Sequence, residues 1–180
     1  MSATVINIIG GPGLGKSLFA AELFAFMKRK QHLVELVPEY AKTLVWTQEW
    51  ELLSNQHHVS YYQYKQIKCL QDMVDYIVVD GSLLQGVYYA YNNVESTSDP
   101  EKTESLIYKY MSEFNNEFVH IQRDKSFCFE EEGRVQNLEG ALHADRELKC
   151  LLDGFTDSYT EIGNKKGDVE KVYEALVSDH

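Results

Sequence analysis

An α/β fold built on a parallel sheet is predicted by three features of this 180-residue chain. Short apolar runs alternate with stretches of helical period, the pattern left by strand–helix–strand crossovers. A glycine-rich turn, Gly10-Gly11-Pro12-Gly13, falls where the first strand pattern passes into the first helical one. The length and an apolar content of 44% suffice for one core. No repeat, low-complexity tract or linker divides the chain, so residues 1–180 read as a single domain.

Residues 4–9 form the first strand. From Lys16 to about Lys30, Phe19, Leu23 and Phe26 recur at i, i+4, i+7, so one helix face is expected to be buried. Residues 33–37 make a second strand, stopped by Pro38. Helical period returns over 56–73, and 76–80 is a third strand ending on Asp80. After Gly81 a helix runs through Leu84 and Val87. Residues 91–103 are polar, contain Pro100 and read as an exposed loop, with a helix after it. A fourth strand lies around 118–121, a charged aperiodic stretch over 124–140, a helix over 141–152, a last strand at 158–162, and a helix from Asp168.

The chain carries 17 Lys and Arg against 28 Asp and Glu, a net charge of −11. That balance argues against a broad grip on nucleic acid or an anionic membrane. The charge is uneven: residues 1–70 sum to +2 and 71–180 to −13, so an anion site belongs to the N-terminal part. Three well-separated cysteines, Cys69, Cys128 and Cys150, make neither a disulfide framework nor a zinc site. No basic leader and no long apolar run are present, so a soluble protein of a cytosol-like compartment is expected.

Residues 10–17, GGPGLGKS, fit GxxxxGK[ST] in full, between a strand and a helix. Glycines let successive backbone N–H groups turn inward around an anion, and the helix N-terminus adds positive potential. The loop and first helical turn, from Gly11, Pro12, Gly13, Leu14 and Gly15 to Lys16, Ser17 and Leu18, are therefore expected to hold a nucleoside triphosphate. In that arrangement Lys16 reaches the β/γ-phosphates and the Ser17 hydroxyl ligates Mg²⁺. Asp80, closing an apolar strand, is the expected second holder of the metal, the competing assignment being a helix cap. A guanine reader of the NKxD type is missing, because Gly163-Asn164-Lys165-Lys166-Gly167 lacks the Asp. The length also disfavours a motor or an AAA+ module with a helical lid domain; a small-molecule kinase fits it.

The second strand runs into Val37-Pro38-Glu39-Tyr40-Ala41-Lys42. Strand ends beside a phosphate loop face the ligand crevice of open α/β sheets. Glu39 is thus placed to orient or deprotonate an acceptor hydroxyl, and Lys42 to neutralise phosphate charge. Gln63 interrupts the apolar stripe formed by Val59, Ile67 and Leu70. A buried amide needs a partner, either a nucleobase edge or a backbone carbonyl. Tyr61, Tyr62, Tyr64, Tyr88, Tyr89 and Tyr91 supply flat side chains that suit a planar acceptor or the protein's own core.

With VPEYAK after strand two, Asn55-Gln56 and Gln63 on the next helix, and a strand ending in Asp80, the chain resembles the ribosylnicotinamide-kinase-like P-loop proteins. Many of these are phage-encoded, and they are similar in fold to thymidylate kinase. Lys42 stands where that family usually has Arg. Gln122-Arg123 and Gly133-Arg134-Val135-Gln136 resemble its lid, placing a lid segment at 123–140. The resemblance implies a five-stranded parallel sheet between helices and Mg²⁺- and ATP-dependent phosphoryl transfer to a nucleoside- or nucleotide-like acceptor. Arg123 and Arg134 are then candidates to clamp the transferring phosphate, with Arg146 a weaker third. Two rivals stay open: phosphorylation of 5-hydroxymethyluracil within DNA, and an NTP-dependent regulatory switch. For a phage protein the compartment is the host cytoplasm. Neither the acceptor's identity nor an oligomeric state follows from these residues.

Overall fold

The computed structural model describes residues 2–123 and 138–178. In chain order the elements are β1 (Thr4–Ile9), α1 (Lys16–Arg29), β2 (Val34–Val37), α2 (Tyr40–Thr47), α3 (Trp50–Ser54), α4 (Gln56–Lys68) and β3 (Tyr76–Asp80). There follow α5 (Gln85–Asn92), α6 (Pro100–Met111), β4 (Asn115–Ile121), α7 (Leu138–Phe155), β5 (Thr160–Ile162) and α8 (Asp168–Ser178). The strands form one parallel sheet in the order β2-β3-β1-β4-β5.

Helices cover both faces, which is why β1 and β3 read as nearly unbroken apolar runs. Val5 and Ile9 of β1 and Ile77 and Val79 of β3 pack with Ile67, Leu84, Val87, Ile107, Met111 and Leu152 from α4–α7. Ile6, Ile8, Tyr76 and Val78 point the other way, onto Phe19, Leu23 and Met27 of α1 and Val172 and Leu176 of α8. Asn7 is the fully buried exception in β1. Its amide donates to Val5 O (3.1 Å), Asn116 Oδ1 (3.0 Å) and Glu117 O (3.3 Å), and its oxygen accepts from Ser82 Oγ (3.1 Å). Ser82 in turn accepts from Leu84 N at 3.2 Å. One polar side chain therefore ties the central strand to β4 and to the turn that starts α5.

Several points differ from the sequence reading. Residues 40–54, to which the sequence assigns no element, form α2 and α3. Only Leu44 is buried in α2 and nothing in α3, so neither helix leaves an apolar period in the sequence. Pro100 starts α6 instead of marking a loop: it sits in the first turn, where its missing N–H costs nothing, and Asp99 caps the helix by accepting from Lys102 N at 3.0 Å. The loop expected over 91–103 shrinks accordingly. Helix α4 stops at Lys68, short of the expected 73, while β4 begins at Asn115 and α7 at Leu138. The 124–137 stretch, with Arg134, lies outside the described residues.

Replacing Asn7 by Leu keeps the volume but strands the partners of a four-bond hub. Unsatisfied buried groups cost ~1–3 kcal/mol each, so urea unfolding should show a loss of at least ~2 kcal/mol. An unchanged unfolding midpoint would mean that the hub contributes nothing.

Candidate active site

The carboxyl ends of all five strands open onto one edge of the sheet, and the polar residues gather there. β1 leads into the phosphate loop. Gly15 holds φ 75° at the N-cap of α1, a left-handed conformation that favours glycine. The first turn of α1 leaves its N–H groups without intrahelical partners. The buried Lys16 ammonium donates to Gly11 O at 3.0 Å, folding back over the loop. Leu18 turns its side chain to solvent.

β2 delivers Glu39 two residues beyond its end, and β3 delivers Asp80 at its last position, paired in register with Ile8 of β1. Burial pushes the Glu39 carboxyl above the ordinary carboxylate range of about 4.5. The positive charges of Lys16 and Lys42 oppose that rise, and the negative charge of Asp80 adds to it. Lys42 is exposed and donates to Ser17 Oγ at 3.4 Å. Asp80 Oδ1 is buried with no hydrogen-bond partner. An orphaned carboxylate oxygen at the end of the strand next to β1, which leads into the phosphate loop, fits a hard divalent cation that also takes phosphate oxygens. Among the described residues no group of three or more His, Cys, Asp or Glu could hold a metal unaided.

Gln63 is occupied by the protein itself. Its Oε1 accepts from Tyr40 N at 2.8 Å and its Nε2 donates to Pro38 O at 3.3 Å, clamping the turn that carries Glu39. Tyr40 stacks on Tyr62 with centroids 5.2 Å apart and planes at 16°, leaving its backbone at the cleft. Tyr64 stacks on Tyr110 and donates to Glu113. Tyr91 donates to Glu104, and Tyr88 packs with Ala144 and Leu148. Of the six tyrosines singled out in the sequence, Tyr89 lines the cavity beside Glu39. Burial, and then the Glu39 charge, push its phenol above the ordinary range.

That cavity is small, about 50 Å³, and is bounded by Glu39, Gln56, Ser60, Gln63, Gln85 and Tyr89 among others. A wider depression of about 620 Å³ lies along α4 and α6, lined by residues such as His57, Tyr61, Asp99 and Lys102. It includes none of the phosphate-loop or strand-end groups, so the smaller cavity is the one that bears on chemistry.

On the far side of β1, Arg123 follows β4 and Asn164 follows β5. Arg123 Nε donates to Asp145 Oδ2 at 2.5 Å, and its Nη2 donates to Pro12 O at 2.6 Å and Asp145 Oδ1 at 3.2 Å. The guanidinium thus bridges α7 to the phosphate loop. Asn164 Nδ2 donates to Leu14 O at 3.0 Å and Gly15 O at 3.4 Å, so the segment examined as a guanine reader braces the loop from outside. Arg146 is exposed on α7. Sequence reasoning missed Asp145, Asn164 and Gln85. For Asn164 a signal existed, since it stands two residues past a strand end as Glu39 does; Asp145 is displaced from any strand by half a helix.

The AAA domain profile matches residues 5–171. The chain belongs to the AAA domain family. The length argument against an AAA module is thereby corrected, since the family includes a chain of this size. No curated protein sequence matches. Among solved structures, a deoxyadenosine kinase from M. mycoides, solved with the products dCMP and dCDP, superposes with a TM-score of 0.62 at 15% identity, covering 98% of this chain and 100% of that one. The APS kinase of Mycobacterium tuberculosis gives a TM-score of 0.46 at 12% identity, covering 84% of this chain and 98% of that one. The fold of this AAA-domain protein is that of the P-loop kinases: a five-stranded parallel sheet flanked by helices.

A Cβ on Gly11 would lie 1.9 Å from Asp145 Oδ1 and 3.3 Å from Ala141 O. Gly11→Ala must therefore push Asp145 off Arg123 or shift the phosphate loop. The expected result is a folded protein whose ATP affinity falls about tenfold or more, ~1.4 kcal/mol, by calorimetric titration. Unchanged affinity would show that the Arg123–Asp145 bridge does not set the loop.

Proposed function

We propose that the protein is a Mg²⁺- and ATP-dependent kinase that phosphorylates a hydroxyl of a nucleoside-like acceptor. The observation that carries this reading is Glu39: a carboxyl raised by burial, within electrostatic reach of Lys16 and Asp80, at the mouth of a cavity with no Lys or Arg in its lining. A phosphate acceptor would bring its charge against Glu39 and Asp80, whereas a hydroxyl brings a proton that Glu39 can take.

The loop amides and Lys16 bind the β/γ-phosphates, and Lys42 stands at the same end through Ser17. Ser17 and Asp80 would hold Mg²⁺, which would supply neutralising charge to the phosphate oxygens. The acceptor oxygen bonds to the γ-phosphorus while the bond from that phosphorus to the β–γ bridging oxygen breaks. ADP leaves with the bridging electron pair, and the acceptor's proton passes to the Glu39 carboxylate. Gln63 positions this base by holding both sides of its turn. Arg123 supports the loop through its bond to Pro12 O. Arg134 is retained as a transition-state clamp on its sequence context alone.

The distribution of cations favours a compact acceptor over DNA. Lys28 pairs with Glu35 at 3.0 Å and Lys68 with Glu113 at 2.8 Å, while Lys65 lies over the Tyr61 and Tyr62 rings. Among the described residues of the N-terminal part, little is left of a phosphate track beyond Lys42. The family resemblance of VPEYAK and the deoxyadenosine kinase fold point the same way.

Two measurements test the reading. With purified protein, γ-labelled ATP and a panel of nucleosides, nucleoside monophosphates and hydroxymethylated DNA, label should pass to a nucleoside. Lys16→Ala should remove that transfer by ~10²–10³ or more in kcat without unfolding the chain. Label found on DNA, with a steep salt dependence, would replace this reading by a DNA-base kinase; hydrolysis alone would replace it by a switch.

Glu39→Gln separates base from scaffold. The variant should lose ~10²–10⁴ in kcat with ATP affinity nearly unchanged. The wild-type kcat/KM should rise with pH through an acid limb above 4.5, because the raised carboxyl must lose its proton to act, and that limb should vanish in the variant. The same raised value means that ionised Glu39 lowers stability at neutral pH, so Glu39→Gln should melt at a higher temperature there. A lower melting temperature with full activity would reverse the assignment.

A further inference from the structure

The wide depression between α4 and α6 carries polar groups that phosphoryl transfer does not use. The two helices start side by side, joined by the bond from Thr97 N to Ser54 O at 3.0 Å. At their far ends the gap is closed, where Glu113 accepts from Lys68 at 2.8 Å and from Tyr64 at 2.9 Å. At the open end Tyr110, only 8% exposed, lines the depression with its ring stacked on Tyr64. The Tyr110 hydroxyl makes no hydrogen bond to any described residue. Burial pushes its phenol above the ordinary range, so it stays a protonated donor. Around it Asn55 Nδ2, the Thr97 and Tyr61 hydroxyls and the His57 ring nitrogens also make no hydrogen bond among the described residues.

The charges at this end are engaged with one another. Asn55 Oδ1 caps α4 by accepting from His58 N at 3.0 Å. Asp99 caps α6 by accepting from Lys102 N at 3.0 Å, and its second oxygen lies 3.5 Å from Lys102 Nζ. An anion would meet Asp99 where Lys102 is already paired, so a neutral occupant is favoured. The rings of His57, His58 and Tyr61 suit a flat one, and the free hydroxyls and amide suit one with donors and acceptors along its edge. A volume of about 620 Å³ is that of a small-molecule site, ~300–1,000 Å³.

We infer that this groove is an effector site for a neutral nitrogen heteroaromatic of nucleobase type, separate from the phosphate loop and from the cavity beside Glu39. The binding itself stands without the kinase reading; the effector role rests on it. His58, in the wall of the groove, is hydrogen-bonded through Nε2 to the Tyr40 hydroxyl at 3.3 Å, and both rings pack on Tyr62. Tyr40 follows Glu39 in the chain, so an occupant that displaces His58 also displaces the turn carrying that carboxylate.

Binding is tested by calorimetric titration with adenine, cytosine and uracil, each as free base, nucleoside and monophosphate. A neutral member should bind with one equivalent. Tyr61→Ala should weaken it about 5–100-fold, the range of one stacked base, and Tyr110→Phe about 2–10-fold for the lost hydroxyl. Gln85→Met, in the wall of the cavity beside Glu39, should leave that affinity unchanged. Binding of monophosphates alone, binding of no member, or an affinity indifferent to Tyr61→Ala each overturns the site. Should Tyr110→Phe fail to fold, the exposed Tyr61 decides. The effector role is tested by kcat and acceptor KM with and without the saturating free base. One of them should change about fivefold or more in the wild type and stay constant in Tyr61→Ala. A bound base that leaves both constants unchanged overturns that role. Transfer to no acceptor overturns the kinase reading and the effector role together, and the titration then decides the site by itself.

Discussion

Every strand of the sheet runs in the same direction, and on that constraint the rest of the site depends. Parallel strands end together, so whatever follows each one is delivered to a common edge. Here the phosphate loop follows Ile9, Glu39 comes two residues after Val37, Asp80 closes β3, Arg123 comes two residues after Ile121, and Asn164 two after Ile162. Residues as far apart in sequence as Pro12 and Arg123, or Leu14 and Asn164, meet within hydrogen-bond distance because the strands between them are in register. The apolar clusters on both faces hold the sheet rigid, and loops of few residues then have little freedom to misplace the groups.

That edge is a set of compensated charges. Lys16 rests on a backbone carbonyl of its own loop, Lys42 on Ser17, and Arg123 on Asp145 and Pro12. The partners of Lys16 and Lys42 are single contacts that phosphate oxygens can replace, whereas the Arg123 bridge holds the loop itself in place. The anions are less well served. Glu39 is pushed upward by burial, and Asp80 keeps an oxygen without a partner. Groups left dissatisfied in the folded chain and satisfied by ligand are a cost in stability of the kind that functional sites carry.

The parts legible in the sequence are those fixed by local chemistry. GGPGLGKS specifies its own conformation, since glycines at positive φ and a helix start are written into eight residues, and doubly buried strands announce themselves by apolar runs such as VINII and IVV. Glu39 and Asp80 were findable as polar residues at the ends of those runs. What could not be read depends on tertiary proximity. Helices α2 and α3 bury almost nothing and so carry no period. Gln63 broke an apolar stripe, as a base reader would, yet its partners are two backbone groups over twenty residues away. Asp145 is one acid among many on a charged helix until α7 is docked against Gly11. Tyr64 and Tyr88 had the composition of a stacking site and are instead committed to the protein's own packing.

Strand order then explains the division of labour along the edge. With β1 central, β3 and β2 lie on one side and β4 and β5 on the other. Adjacent strands are ~4.8 Å apart, so Asp80, in register with Ile8, stands one spacing from the phosphate loop, while Glu39 follows β2 and packs its side chain against Gly81, beside Asp80. One spacing suits a carboxylate that shares a cation with the loop serine. The opposite half carries Arg123 and Asn164, both bonded to the loop itself, and so serves to brace the phosphate cradle. The cavity beside Glu39 is accordingly walled by α4 and α5, through Gln56, Ser60, Gln85 and Tyr89. Membership of the AAA domain family and likeness to a deoxyadenosine kinase are compatible on this view, because family and fold supply the edge while the side chains placed along it decide the chemistry. On the kinase reading proposed above, exchanging a few residues on the walls of that cavity would change the acceptor and leave the sheet, the loop and the brace as they are.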